Sequence, residues 1–259
     1  MTDSFKPELF KLIKIVNKKT IQHGLINEND RIMVGISGGK DSLLLLEIFG
    51  ELKSLLRIPF EIIPVHIHLQ EIGYCIDTKF AEDLCEQYNT TLITVSAPFS
   101  PDPTGKKGPC FLCSWQRRKI LFELTKKLNC NKLALGHHMD DAIQTLLMNM
   151  IYHGSISSMP IKLSMFNNEL ELIRPLLFIE ERDIVNYKNI RNYPHLIKNC
   201  PYGDDKKRNT MAHLINQMEL IHPQAKKNIF RSMAKIYPSY LPEGENAIID
   251  GLNVIHPKE

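Results

Sequence analysis

Six consecutive residues, Ser37-Gly38-Gly39-Lys40-Asp41-Ser42, constrain this chain more than any other stretch. They follow an apolar run from Arg31 to Ile36 and precede a helical pattern from Leu43 to Phe49. The expected unit is a strand, a glycine turn and a helix. Adjacent glycines let backbone N–H groups reach an anion with no Cβ in between. The N-terminus of the next helix adds its dipole, and Ser37 and Ser42 add hydroxyls. Lys40 can neutralise phosphate charge. Asp41 is out of place in a plain anion nest, and its carboxylate points to a Mg²⁺ shared with the phosphates.

The spacing is not that of the Walker loop, which needs Gly-x-x-x-x-Gly-Lys-Ser/Thr, and the dinucleotide fingerprint would need a third glycine. An ordinary Gly-Ser turn is the plain alternative. The motif resembles the PP-loop of the ATP pyrophosphatase family, which implies that ATP is bound and cleaved to AMP and pyrophosphate.

Periodicity predicts an N-terminal helix over Phe5–His23, strands at Ile58–Leu69, Thr91–Val95, Lys132–Gly136 and Leu170–Ile173, and helices between them. The helices expected are Asp77–Tyr88, Ser114–Leu128, one running through Met150, Glu180–Tyr187, Lys206–Met218 and Pro223–Ile236. Such alternation predicts an α/β fold with a doubly wound parallel sheet. Three parts are expected: residues 1–24 as a packed helix, 25–190 as the nucleotide-binding domain, and 191–259 as a helical extension. Residues 97–109 read as a surface loop rich in proline and glycine.

In an open α/β sheet, ligands sit at the carboxyl ends of the strands. Gly136-His137-His138-Met139-Asp140-Asp141 occupies a second strand-to-helix junction on that edge. Gly136 would allow close approach of adenosine or the α-phosphate. Asp140 and Asp141 suit either Mg²⁺ or a helix cap; the expectation is that Asp141 joins Asp41 in the ATP–Mg²⁺ site. His66 is expected against the adenine, or else is a strand-end histidine without a ligand.

Six cysteines and no apolar signal or membrane segment point to a cytoplasmic protein with thiols rather than disulfides. Cys110 and Cys113 form a C-x-x-C, a pattern shared by zinc sites, redox pairs and iron–sulfur clusters. No second such pair occurs, and Cys200, between Asn199 and Pro201, is a better distal partner than Cys75 or Cys130. Three thiolates suit a 4Fe–4S cluster with one iron open. Arg117 and Arg118, one turn beyond Cys113, suit RNA, phosphate or cluster sulfur, or need no role. The net charge is only +3, yet residues 105–132 hold eight Lys/Arg against one acid, and residues 186–235 hold ten against three. Basic stretches of this kind suit a polyanion such as RNA, or are solvated helix faces.

The ordered set Ser37–Ser42, then Cys110-Phe111-Leu112-Cys113 with Arg117-Arg118, then Ala134 to Met150 with Gly136, Asp140 and Asp141, is similar to the tRNA 2-thiocytidine synthetase family. Met159-Pro160, Ile173-Arg174-Pro175-Leu176 and Glu181-Arg182-Asp183-Ile184 continue the likeness. Around Cys200 the chain has one cysteine where that family often has two. The resemblance implies a Rossmann-like HUP fold, ATP, Mg²⁺, and a 4Fe–4S cluster on Cys110, Cys113 and Cys200, which with Asp41 form the expected catalytic set. It also implies 2-thiolation of cytidine 32 in tRNA. A cysteine desulfurase or free sulfide is the expected sulfur donor, and a homodimer the expected assembly. An amidating or lysidine-forming PP-loop enzyme and a non-catalytic iron–sulfur or nucleotide sensor are the competing readings.

Overall fold

Residues buried on both faces build the centre of the sheet. In β1 (Arg31–Gly35) Ile32 and Val34 face one core and Met33 the other, as the two-residue repeat of a strand requires. The computed structural model describes residues 5–70, 74–75, 78–100, 108–194, 197–198 and 206–241.

In chain order, α1 (Lys6–His23) precedes β1, and α2 (Lys40–Leu55), β2 (Glu61–Leu69), β3 (Tyr74–Cys75), α3 (Thr78–Gln87) and β4 (Ile93–Ala97) follow it. Next come α4 (Pro109–Lys127), β5 (Lys132–Ala134), α5 (Met139–His153), β6 (Lys162–Met165) and β7 (Leu170–Ile173). A 3₁₀ turn at Pro175–Phe178 leads to α6 (Glu181–Arg191), β8 (Ile197–Lys198), α7 (Lys206–Ile221), α8 (Ala225–Ser232) and a last 3₁₀ turn at Pro238–Tyr240. The main sheet runs β4-β2-β1-β5-β7-β6, parallel except for β6, which pairs antiparallel with β7. Strand order reverses between β1 and β5, so the two junctions singled out above flank the switch point.

Helices cover both faces. Residues of α1, α2, α3 and α6 form the core on one side, and α4 packs Leu112 and Leu121 on Val65, Ile67 and Leu133 on the other. Apolar residues of α5 join Met211 and Ile215 of α7 in a third cluster. Among the described residues, no helix is long and apolar enough to cross a membrane.

Three expectations change. The sheet has an antiparallel edge strand, β6, of only four residues, most of them exposed. A short ladder joins β3 to β8, pairing Cys75 with Ile197. α4 begins at Pro109 rather than Ser114, because proline suits the first helical position. The C-x-x-C therefore lies within the helix. The expected cap at Asp77 and the third cysteine, Cys200, lie outside the described residues.

Opposite the switch point, at the amino ends of the strands, Lys132 is buried at 1% exposure. Its Nζ lies 2.7 Å from Asp30, 3.3 Å from Glu171 and 3.0 Å from the Leu25 carbonyl. Removing one partner of such a buried cluster leaves a charge that nothing offsets. Lys132→Met is expected to lower folding stability in urea by about 3–5 kcal/mol without changing nucleotide affinity, since it lies at the far edge of the sheet.

Candidate active site

Backbone conformation shapes the loop from Ser37 to Ser42. Ile36 N–H still donates to the Val65 carbonyl at 2.8 Å, so the strand is pinned up to the first loop residue. Gly38 then takes φ +76°, a region that side chains rarely adopt. The Ser42 hydroxyl receives the Ser37 N–H at 3.1 Å and donates to the Gly39 carbonyl at 2.9 Å, which curls the loop over the first turn of α2. Gly39 N–H points to the Ser37 hydroxyl at 3.3 Å. The result is a cup of serine hydroxyls and amides at a helix N-terminus, a geometry that binds phosphate.

His66 lies beneath the cup and not against it. It is buried, and its Nδ1–H donates to the Ile36 carbonyl at 2.8 Å. Burial lowers its pKa, only partly offset by that bond, so the ring is neutral. A cavity of about 110 Å³ opens beside the loop, lined by Gly35, Ile36, Ser37, Val65, Ile67, Arg117, Leu121 and Leu135. His66 is not among the lining residues. It holds the loop whose backbone lines the cavity.

Gly136 also makes a close contact within the protein. A Cβ there would sit 3.0 Å from the carbonyl carbon and oxygen of Asp41 and 3.2 Å from Ser42 N. The close approach is to the first turn of α2. Just after it, His138 N–H donates to Asp141 Oδ2 at 3.0 Å, so Asp141 caps α5. Its other oxygen faces Arg208 at 3.5 Å. His138 Nε2 lies 3.5 Å from Asp141 and 3.8 Å from Asp41, which brings both carboxylates around one buried ring. Burial raises the Asp41 pKa despite Lys40 and His138, and Asp141 adds to the rise.

The most informative contacts involve residues that the motif does not contain. Lys40 Nζ lies 2.9 Å from Glu181, at the start of α6, and 3.1 Å from Asp41. Burial opposes the Lys40 charge, but these two carboxylates outweigh it and raise its pKa. Asp140 accepts the Glu181 N–H at 2.7 Å and pairs with Lys226 of α8 at 2.8 Å. Asp140 is therefore a strut between helices. Burial works against its ionised form, yet Lys226 and the Glu181 amide keep its pKa below the ordinary value. Glu181 and Lys226 lie far from these partners in sequence; the family likeness includes Glu181 without showing its role, and nothing local marks Lys226.

On the other side of the sheet, α4 runs against the strand direction, so its N-terminus lies at the carboxyl edge, beside the cup. Cys110 is exposed there, and Cys113 is half-buried against the cluster of Leu69, Phe99 and Leu112. Arg117 lines the cavity, whereas Arg118 faces outward towards His137 and Arg174. Cys130 follows the far end of α4, about 1.5 Å per residue away along the helix. It is buried, and burial pushes its thiol up to about 11. It has no access to the cysteine pair.

An anion cup at the switch point of a mostly parallel sheet defines a nucleotide-binding domain of the PP-loop class, and the model of the PP-loop domain family matches residues 10–219. Relatives narrow the class. The tRNA-cytidine(32) 2-sulfurtransferase of Vibrio cholerae is 34% identical over 240 residues, covering 90% of this chain and 77% of the relative. The protein of the same name from Geotalea uraniireducens is 35% identical over 244 residues, covering 90% and 94%. The solved U34-tRNA thiolase NcsA from Methanococcus maripaludis, with its 4Fe–4S cluster, shares the fold at TM-score 0.74 and 24% identity, covering 92% of this chain and 81% of that one. The chain belongs to the PP-loop family and, within it, to the tRNA-cytidine(32) 2-sulfurtransferases.

Gly136→Ala sets a methyl against backbone that has no side-chain freedom to yield. ATP affinity, measured by calorimetry, is expected to fall about tenfold or more, with a stability loss of about 1–3 kcal/mol. An unchanged affinity would mean that the loop does not depend on this contact.

Proposed function

We propose that this chain is an ATP-dependent tRNA sulfurtransferase that replaces the C2 oxygen of cytidine 32 with sulfur, as the names of its relatives describe. One observation carries the reading beyond family membership: Ser37 of the phosphate cup and Arg117, one turn beyond Cys113 on α4, line the same cavity.

The donors present fit the groups that this chemistry needs. Asp41 and Asp141, gathered about His138, are the carboxylates that would hold Mg²⁺. Cys110 and Cys113, spaced by three on the first turns of α4, present two thiols on one side of the helix. Cys200, outside the described residues, is the proposed third ligand of a 4Fe–4S cluster on the likeness to the sulfurtransferase family. When bound, the cluster supplies an iron open to sulfide, and Mg²⁺ offsets phosphate charge.

The chain's own residues then have distinct tasks. The adenine enters the cavity beside Gly35–Ser37, and the amides of Gly38 and Gly39 with Ser37, Lys40 and Ser42 hold the phosphates. The C2 oxygen of the pyrimidine attacks the α-phosphorus, and the bond to pyrophosphate breaks. Pyrophosphate leaves as an anion already matched by the cup and Lys40. Sulfide then bonds to C2, the C2–O bond breaks, and AMP carries the oxygen away. A cysteine desulfurase or free sulfide delivers the sulfur. The target base must be unpaired and splayed out, and exposed Trp115, beside the cysteine pair, offers a face on which to stack. The cytoplasm, where tRNA and ATP are both present, is the proposed place of the reaction.

Protein purified without oxygen is expected to carry about four irons per chain and to form 2-thiocytidine in tRNA with ATP, read by mass spectrometry of nucleosides. Cys113→Ser and Cys200→Ser are expected to lose iron and product together, whereas Cys130→Ser keeps both. Iron retained in Cys200→Ser, or zinc in its place, would overturn the sulfur-transfer reading. Binding of tRNA is expected to weaken steeply and linearly in log[salt], as counterion release requires.

A further inference from the structure

Arg174 closes β7 in an unusual state. It is 8% exposed, its Nη1 donates to the Pro160 carbonyl at 2.7 Å, and its Nε has no hydrogen-bond partner. Among the described residues, no carboxylate stands within ion-pair distance of it. A buried guanidinium left in that condition is strongly destabilising unless an anion arrives to answer it. The nearest charged neighbour makes matters worse. Burial, and then repulsion from Arg118, push the Arg174 pKa down to about 10.

The surroundings repeat the pattern. His137, next to Gly136, has a buried Nδ1 without a partner. Burial carries its pKa down to about 4; Asp141 opposes the fall, and Arg174, Arg208 and Arg118 add to it. The ring is therefore neutral and keeps one N–H to donate. Among the described residues, Asp141 is the single carboxylate in this group, and it is already engaged by α5 and by Arg208. Four elements thus converge here: α4, the junction after β5, the end of β7, and the start of α7. They bring three guanidinium groups and a neutral donor together beside the N-terminus of α5. Planar guanidinium forks hold the oxygens of a phosphate through paired, charge-assisted hydrogen bonds.

We propose that Arg118, Arg174 and His137 form a second anion subsite, distinct from the Ser37–Ser42 cup, that binds a phosphate group of a nucleotide. The subsite rests on the proposed function only in assigning that phosphate to the reacting partners. It is either a phosphodiester of the tRNA next to the target base or the α-phosphate that becomes AMP. Both present the same oxyanion, and binding measurements separate them.

The test uses Arg118→Gln, which alters an exposed side chain and leaves the core intact, and Arg174→Lys, which keeps the charge but loses the fork. Each is titrated with tRNA across a salt series without nucleotide, and with AMP without tRNA. A fall of about five- to tenfold in tRNA affinity, with a salt slope reduced by about one, assigns a tRNA phosphodiester. A comparable loss confined to AMP assigns the α-phosphate. Wild-type affinities for both ligands in both variants would overturn the subsite, as would a wild type that binds neither. The readout is binding, not turnover. A wild type that binds tRNA and AMP yet forms no 2-thiocytidine would therefore sink the proposed function and leave the subsite intact.

Discussion

The contact on which the rest depends is the meeting of two backbones at the switch point. The peptide between Asp41 and Ser42 rests against Gly136, with no room for even a methyl group between them. Two strand-to-helix junctions, far apart in sequence, are thereby pressed into one surface. The same contact brings the N-termini of α2 and α5 together, so two helix dipoles face one region. A strand-end sheet of this kind would have a crevice in any case. The glycine is what narrows it to the scale of a phosphate.

Around that contact the polar residues divide into those that meet a ligand and those that hold others in place. Asp140 and Lys226 belong to the second group, as do His66 and His138. Their partners are backbone amides, carbonyls and buried carboxylates, and their burial leaves them no route to a substrate. Glu181 stands between the groups. Its amide is tied to the strut and its carboxylate holds Lys40, so the α6 N-terminus and the loop lysine are set by one residue.

The fold was legible wherever the chain obeyed a single period. β1, β2, β5 and α2 announce themselves through apolar runs and repeats, and the Ser37–Ser42 loop through its glycines. The antiparallel β6 was not legible, because an exposed edge strand needs no apolar face. The start of α4 was misread because proline and glycine also mark loops, and only the structure shows Pro109 at the first helical position. In the site, sequence order located the cup, the cysteine pair and the Gly136 junction. It did not foresee that Gly136 abuts the backbone at the start of α2, and it left His66 open between a ligand contact and a strand-end role; the ring bonds the Ile36 carbonyl. Arg174 and Glu181 fall in stretches that carry the family likeness, yet their roles arise from burial and from neighbours that only tertiary folding supplies.

One further consequence lies in α4. Cys113, Arg117 and Arg118 sit on consecutive turns of a single helix packed along its length on β2 and β5. A helix rises about 1.5 Å per residue, so the thiolate and the two guanidinium groups are graduated like marks on a ruler. No loop separates them, and no hinge can change their spacing. Whatever spans the distance from sulfur to phosphate must come in a fixed size, which turns a stretch of ordinary helix into a gauge of substrate length.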